Sequence, residues 1–318
     1  MSGIVTLGES LGLIVGTRTG GFDLQSAAEV SFGGAETNVA IGVARLGGRA
    51  GWIGRLGDDA MGRRITRALR AEGVEAHVRL ASDAPTAIML KDRPRPDASR
   101  VTYYRTGSAA SRMEPADLPV AVIREAALLH VSGINLAISH SSARTTLAAV
   151  ELARDAGVPV SFDVNHRSRL WAGEQGRDSA SAAYRALVAL ADIVFAGDDE
   201  AALVTDEDGH DAQAAALAAL GPSQVVIKLG ADGAFALHAG HRFDQTALRV
   251  TVVDTVGAGD AFVAGYLSEF VAGSSIEERL RIGAAAGAFA CGMPGDWEGA
   301  ATRADIEAMA IERDPVER

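Results

Sequence analysis

Short runs of β-branched and other apolar residues alternate with longer alanine-rich segments of helical period along this chain, and that alternation leaves few folds open. It is the pattern of βα units laid on a mostly parallel sheet. Strands are predicted at Ile4 to Leu7, Gly51 to Ile53, Ala127 to Val131, Val158 to Phe162, Ile193 to Phe195, Val225 to Lys228 and Val250 to Val253. Between them, helices are predicted at Thr37 to Leu46, Met61 to Glu72, Ser142 to Ala156 and Ala212 to Leu220. Glycines at Gly47-Gly48, Gly73 and Gly157 supply the helix stops. The expected class is a doubly wound α/β fold, with helices layered against a central sheet.

Two stretches break the rhythm. Residues 11 to 35 show no helical period, and residues 85 to 107 read as strand, turn, strand: Thr86 to Leu90, a Pro- and charge-rich Lys91 to Ser99, then Val101 to Arg105. Together they predict a small antiparallel sheet set into an α/β core made of residues 1–10, 36–84 and 108–318. Such a sheet either closes over a ligand site at the carboxyl ends of the strands or is an edge hairpin with no moving part. No internal repeat, low-complexity tract or linker interrupts the chain.

The totals exclude several function classes. The chain has 318 residues and a formal net charge of −11, which repels phosphate backbones and anionic lipid surfaces, so neither nucleic acid nor membrane is an expected partner. No apolar run approaches the ~20 residues of a membrane span, and no signal-type segment opens the sequence. The single cysteine, Cys291, rules out an intramolecular disulfide and a cysteine metal cluster; a cytoplasmic location is expected. The seven histidines are scattered, His238 and His241 flanking a turn glycine, and give no metal-ligand spacing. Glycine is in excess, 36 residues or about 11% against a usual ~7%, so positions needing positive φ or close backbone approach are numerous.

The densest of these is Asp254-Thr255-Val256-Gly257-Ala258-Gly259-Asp260-Ala261-Phe262, between a predicted strand and an amphipathic helix that begins near Ala258. Glycines free the backbone N–H groups there to point at a ligand, and the positive end of the helix dipole adds to them, which suits an anion. Phe262 stands where a dinucleotide-binding fingerprint needs its third glycine, and no GxxxxGK[ST] occurs anywhere. Asp260, in the first helical turn, either takes a proton from a hydroxyl as that hydroxyl attacks phosphorus or merely complements the dipole.

This segment resembles the C-terminal signature of the ribokinase-like (PfkB) carbohydrate kinases, and Ser31-Phe32-Gly33-Gly34-Ala35-Glu36-Thr37-Asn38-Val39-Ala40 resembles their N-terminal signature, over 200 residues earlier. Arg55-Leu56-Gly57-Asp58-Asp59-Ala60-Met61-Gly62 is similar to a further family segment. The resemblance implies a three-layer α/β/α core with a small β lid and ATP-dependent phosphorylation of a sugar hydroxyl. It makes Asp260 the general base and the N–H groups of Gly257, Ala258 and Gly259 the anion hole. Lys228-Leu229-Gly230-Ala231-Asp232-Gly233 resembles the family's strand and turn beside ATP, implying nucleotide contacts at Lys228, Gly230 and Gly233; without the resemblance it reads as an ordinary hairpin turn. Mg2+ offsets the triphosphate charge. Glu200 matches the acid of the family's NxxE motif, an indirect metal role, although Gly197 replaces the side-chain amide. Family analogy also implies K+ near Asp254 and the loop after Cys291. A homo-oligomer formed through the lid is a further expectation.

Three segments are similar to the 2-keto-3-deoxygluconate kinases of this family. They are Glu36 in place of the proline of fructokinase-like members, Tyr103-Tyr104-Arg105-Thr106-Gly107-Ser108-Ala109, and Asp163-Val164-Asn165-His166-Arg167. A sugar acid carries a carboxylate that needs a cationic fork, which Arg105 and Arg167 are placed to supply; a neutral hexose does not. Of the alternating Tyr103 and Tyr104 only one can face the site, and Tyr103 is taken as the substrate contact. Gly34 and Asn38 are expected against substrate hydroxyls, and Asp296 either closes the site or is a turn residue. The sequence therefore predicts a sugar-acid kinase. A kinase of fructose or another neutral sugar, and a non-catalytic sugar-binding protein, remain as alternatives.

Overall fold

The computed structural model describes residues 3–95, 98–172 and 176–311. In chain order its first elements are β1 (Ile4–Leu7), β2 (Leu11–Thr19), β3 (Ala28–Gly33), α1 (Ala35–Arg45), β4 (Ala50–Gly57), α2 (Ala60–Ala71), β5 (Val74–Ala81), β6 (Ile88–Arg95) and β7 (Ala98–Tyr104). Next come α3 (Val120–Arg124), β8 (Leu128–Ser132), α4 (Ile134–Ile138), α5 (His140–Asp155), β9 (Val160–Asp163), α6 (Gly176–Val188), β10 (Ile193–Gly197), α7 (Asp198–Thr205) and α8 (His210–Ala219). The chain ends through β11 (Gln224–Lys228), β12 (Ala234–His238), β13 (His241–Gln245), α9 (Ala258–Val271), α10 (Ile276–Cys291) and α11 (Arg303–Ile311).

Nine strands form one sheet in the order β13-β12-β11-β10-β9-β8-β1-β4-β5, parallel except for the two antiparallel pairings that add β12 and β13 at one edge. Successive side chains of a strand leave opposite faces, and the core divides accordingly. Val5, Leu129, Val194, Val225 and Ile227 pack with α5 to α8 on one side, whereas Ile4, Leu128, Ile193, Phe195 and Val226 pack with α1, α2, α9 and α10 on the other. Both faces are covered, which is why these strands are nearly all apolar. On the second face Tyr266 meets Phe195 edge-on, ring centroids 5.2 Å apart, and its hydroxyl donates to Gln224 Oε1 at 2.8 Å.

The second sheet has four strands in the order β3-β2-β6-β7. It is mixed rather than antiparallel: β2 and β6, at its centre, run parallel. The connectivity requires this, because β2 follows β1 and β6 follows β5, and both core strands point the same way. β6 and β7 also extend into the stretch expected as turn, of which Pro96 and Asp97 lie outside the described residues. The family-like segment around Asp59 works here as a joint. Asp59 caps α2 by accepting from Gly62 N at 2.8 Å and also accepts from Thr86 N at 2.8 Å, so it fixes the chain just before β6.

One predicted strand is absent. Val250 to Val253 is irregular chain, with Val252 and Val253 more than half exposed. The N–H groups of Val253 and Asp254 donate to the Cys291 carbonyl at 2.8 and 3.3 Å. A helix end thus replaces the neighbouring strand that three valines suggested, and β-propensity without a sheet edge does not make a strand. Among the described residues no helix is long and apolar enough to cross a membrane.

Candidate active site

The carboxyl ends of the parallel strands and the inner face of the small sheet enclose a cavity of about 1130 Å3. In a doubly wound sheet ligands bind at this end, where strand order reverses about the first strand. Glu9 just beyond β1, Asp163 at the end of β9, Gly197 at the end of β10 and Lys228 at the end of β11 all line it, together with the start of α9. From the small sheet come Leu13, Met89, Lys91 and Tyr103, which share its inner face.

Asp260 sits in the first turn of α9, and its Oδ2 accepts a 2.8 Å hydrogen bond from Asn38 Nδ2 on α1. Asn38 Oδ1 is buried without a partner, so an acceptor stands ready beside the carboxylate. Burial pushes the Asp260 carboxyl up to about 6, and Asp163 adds to this; the Asn38 amide, Arg167 and Lys228 oppose it. A carboxylate poised just below neutrality suits a general base. No side chain caps α9, whose N-cap Gly257 has φ 75°. A Cβ on Gly257 would also fall 1.9 Å from the Asp296 carbonyl oxygen, so glycine is required there on two counts. The Ala258 N–H donates to Thr255 O within the turn at 3.3 Å.

Lys228 Nζ donates to both oxygens of Asp163, at 2.9 and 2.7 Å, and lies 3.9 Å from where a Gly259 Cβ would be. Burial works against its charge, but Asp163, Glu200 and Asp260 more than offset this, and the ammonium titrates above its ordinary value. A held cation therefore adjoins the uncapped helix start. Gly33 and Gly34, both in the cavity wall, also permit close approaches within the protein itself. A Cβ on Gly33 would lie 1.8 Å from Asp296 Oδ2, and one on Gly34 would lie 2.3 Å from the Glu9 carbonyl oxygen. Gly33 makes room for the Asp296 carboxyl group.

Asp296 is held by the loop that carries it: Glu298 Oε2 accepts from the N–H of Asp296 and of Trp297, while Glu298 Oε1 accepts from Ser31 Oγ on β3 at 2.5 Å. Burial, with Asp260 and Glu298 nearby, pushes Asp296 up to about 7 from an ordinary 3.8. The folded chain thus holds a proton that the unfolded chain releases above pH ~4, and the stability carried by the neutral form is lost as pH rises toward 7. Asp296→Asn, neutral at every pH, is expected to melt above wild type at pH 8 and level with it at pH 4 in paired thermal scans. A difference independent of pH would contradict this placement of Asp296.

The two signature segments, at opposite ends of the sequence, meet in the Asn38–Asp260 hydrogen bond. A family model described as pfkB family carbohydrate kinase matches residues 1–303. The chain belongs to the pfkB family of carbohydrate kinases. Among relatives of this pfkB chain is a 2-dehydro-3-deoxygluconokinase of Bacillus subtilis, 37% identical over 304 residues, covering 94% of this chain and 92% of its own. A 2-dehydro-3-deoxygalactonokinase of Haloferax volcanii is 34% identical, covering 92% of each. The solved PfkB protein from Polaromonas sp. JS666 superposes with a TM-score of 0.87 at 36% identity, covering 97% of this chain and all of that one.

Within this pfkB fold several expected residues take other partners. Arg105, foreseen as a free fork, gives Nε and Nη2 to Glu9 Oε2, and its guanidinium lies 4.9 Å from the Tyr103 ring. Among the described residues Nη1 makes no hydrogen bond, so it is the part of the fork still open to a ligand. Glu9 was not foreseen; a lone carboxylate just after an apolar strand was its signal. Arg167 is exposed at the cavity wall and, among the described residues, donates only to the carbonyl of His166, at 3.1 Å. Glu200 spends its oxygens on the N–H groups of His166 and Gly197, both at 2.7 Å, so it shapes the strand ends rather than presenting a free metal ligand. Gly233 is a turn glycine against Gln245, and Gly230 lies at the exposed turn outside the cavity lining, with open space before it. Asp254, foreseen beside K+, is paired with Lys91 at 2.9 Å. No group of three or more His, Cys, Asp and Glu placed to hold a metal occurs among the described residues.

Proposed function

We propose that this kinase transfers the γ-phosphoryl group of ATP to the terminal hydroxyl of a 2-keto-3-deoxy sugar acid, 2-keto-3-deoxygluconate. The observation that carries the reading is the exposed guanidinium of Arg167 in the same cavity as the Asn38–Asp260 pair. A carboxylate-bearing sugar bound to that cation presents a hydroxyl to the base. The relatives named for sugar-acid kinases support the choice.

Asn38 Oδ1 accepts from a substrate hydroxyl and Asp260 takes the proton of the hydroxyl that reacts. The oxygen forms its bond to the γ-phosphorus as the bond from that phosphorus to the β,γ-bridging oxygen breaks, and ADP leaves with the electron pair. Lys228 and the N–H groups of Gly257 and Gly259 stabilise the negative charge on the transferring group. Mg2+, when bound with ATP, neutralises phosphate charge; the occupied oxygens of Asp163 and Glu200 suit a metal held chiefly by phosphates and water. In this reading residues 11–35 and 85–107 are a lid that excludes water from the reaction.

A substrate panel with coupled ADP detection tests it. 2-Keto-3-deoxygluconate, its C4 epimer, fructose and ribose are compared at saturating MgATP. Preference for a sugar acid over fructose by about 100-fold in kcat/KM is expected, the scale of a charge-assisted contact. Fructose as the better substrate would overturn the assignment in favour of the neutral-sugar alternative, and no ADP from any substrate would favour the binding protein.

A further inference from the structure

Lys91 is a lid residue whose side chain leaves the lid. It lies on β6, shares the inner face with Met89, and reaches the core to place Nζ 2.9 Å from Asp254 Oδ2. Both partners are mostly buried, with 17% of each side chain exposed. Asp254 heads the loop that turns into α9, and its other oxygen accepts from the Val256 N–H at 3.2 Å. Burial alone would push this carboxyl up, yet Lys91 with the N–H groups of Val256 and Thr255 holds it below its ordinary value.

The same position tests the family-based expectation of K+. A monovalent cation there needs the Asp254 carboxylate and carbonyls near Cys291. The carboxylate is given to Lys91 and Val256, and the Cys291 carbonyl already accepts from Val253 and Asp254 N–H. A second positive charge within a few ångströms of the Lys91 ammonium is repelled by it. The donor set therefore does not fit an added cation.

We propose that Lys91 is the built-in monovalent cation of this site: its ammonium neutralises Asp254 and so positions the loop that opens α9, which makes phosphoryl transfer independent of K+ and tied to lid closure. The proposal rests on the kinase reading above. Lys91 touches no reacting atom in this scheme; it is a positioning residue that acts through Asp254. With the lid open, Asp254 loses its ammonium partner, and its negative charge at the head of α9 opposes the approach of a triphosphate. With the lid closed, the ammonium offsets that charge, and its field also reaches Asp296.

The experiment compares wild type, Lys91→Ala and Lys91→Met with MgATP and the best substrate of the panel, in KCl, NaCl or choline chloride at equal ionic strength. Wild type is expected to turn over equally, within about twofold, in all three salts. Lys91→Ala, which opens a space the size of an ion, is expected to lose about 10- to 100-fold in kcat in choline, on the scale of losing a charge-assisted contact, and to recover most of it in K+. Lys91→Met fills the space without charge; it is expected to lose as much and recover nothing. A merely structural lysine would give no cation-specific rescue. Wild type several-fold slower without K+, or a Lys91→Ala enzyme that K+ does not stimulate, overturns the proposal. Should no variant, wild type included, show turnover, the kinase reading itself fails. Thermal scans then decide the cation site: K+ raising the melting temperature of Lys91→Ala but not of wild type supports it, and K+ stabilising wild type overturns it.

Discussion

Replacing Asp260 by Asn should lower kcat by about 1000-fold, within the range general bases contribute, with little change in ATP affinity. The amide keeps an oxygen for Asn38 Nδ2, whose 2.8 Å hydrogen bond joins α1 to α9, so the fold should persist. The pH profile gives a second readout. With the Asp260 carboxyl at about 6, the base is ionised above that pH, so wild-type kcat/KM should rise as pH increases through about 6 and then level. The residual activity of the Asn variant should lack that limb. Steady-state kinetics from pH 5 to 8 checks both points, and turnover within tenfold of wild type would remove Asp260 from the reaction.

The second large effect is expected at Arg167. Its guanidinium is exposed and, among the described residues, donates only to a neighbouring carbonyl, so Arg167→Ala strands no buried group among them. Loss of a charge-assisted contact, about 1.5–3 kcal/mol, corresponds to roughly 10- to 150-fold in kcat/KM for the sugar acid. A neutral sugar at the same site should change little. Arg167 also lowers the Asp260 carboxyl, so its removal should move the low-pH limb upward. Equal losses with acidic and neutral substrates would separate Arg167 from the carboxylate. Arg105→Ala is the poorer probe, because it strands the buried carboxylate of Glu9. Losing one member of a buried pair costs about 3–5 kcal/mol in stability whatever the substrate.

The layers of this fold were legible because the inner strands of the large sheet are covered on both faces and therefore nearly all apolar, and several helices carry their own glycine stop; the polar edge strands β5 and β13 gave no such signal. Val250 to Val253 misled for a related reason: local propensity is the same whether the partner is a strand or, as here, the end of α10. The parallel pair at the centre of the small sheet was not legible either. Strand direction there follows from where β1 and β5 point, which no local pattern encodes.

For the site, the sequence by itself placed the residues that the proposed chemistry uses: glycines that free backbone donors at a helix start, an acid in the first turn, and an asparagine over 200 residues earlier. Short-range geometry writes such motifs into consecutive residues. Only the tertiary structure decided which charges neutralise one another. Arg105 belongs to Glu9, Lys228 to Asp163 and Lys91 to Asp254, pairs separated by 96, 65 and 163 positions. Whether a side chain is a free contact or a committed partner depends on what burial places within about 3 Å of it. That is a property of packed strand ends and the small sheet beside them, which no spacing along the chain contains.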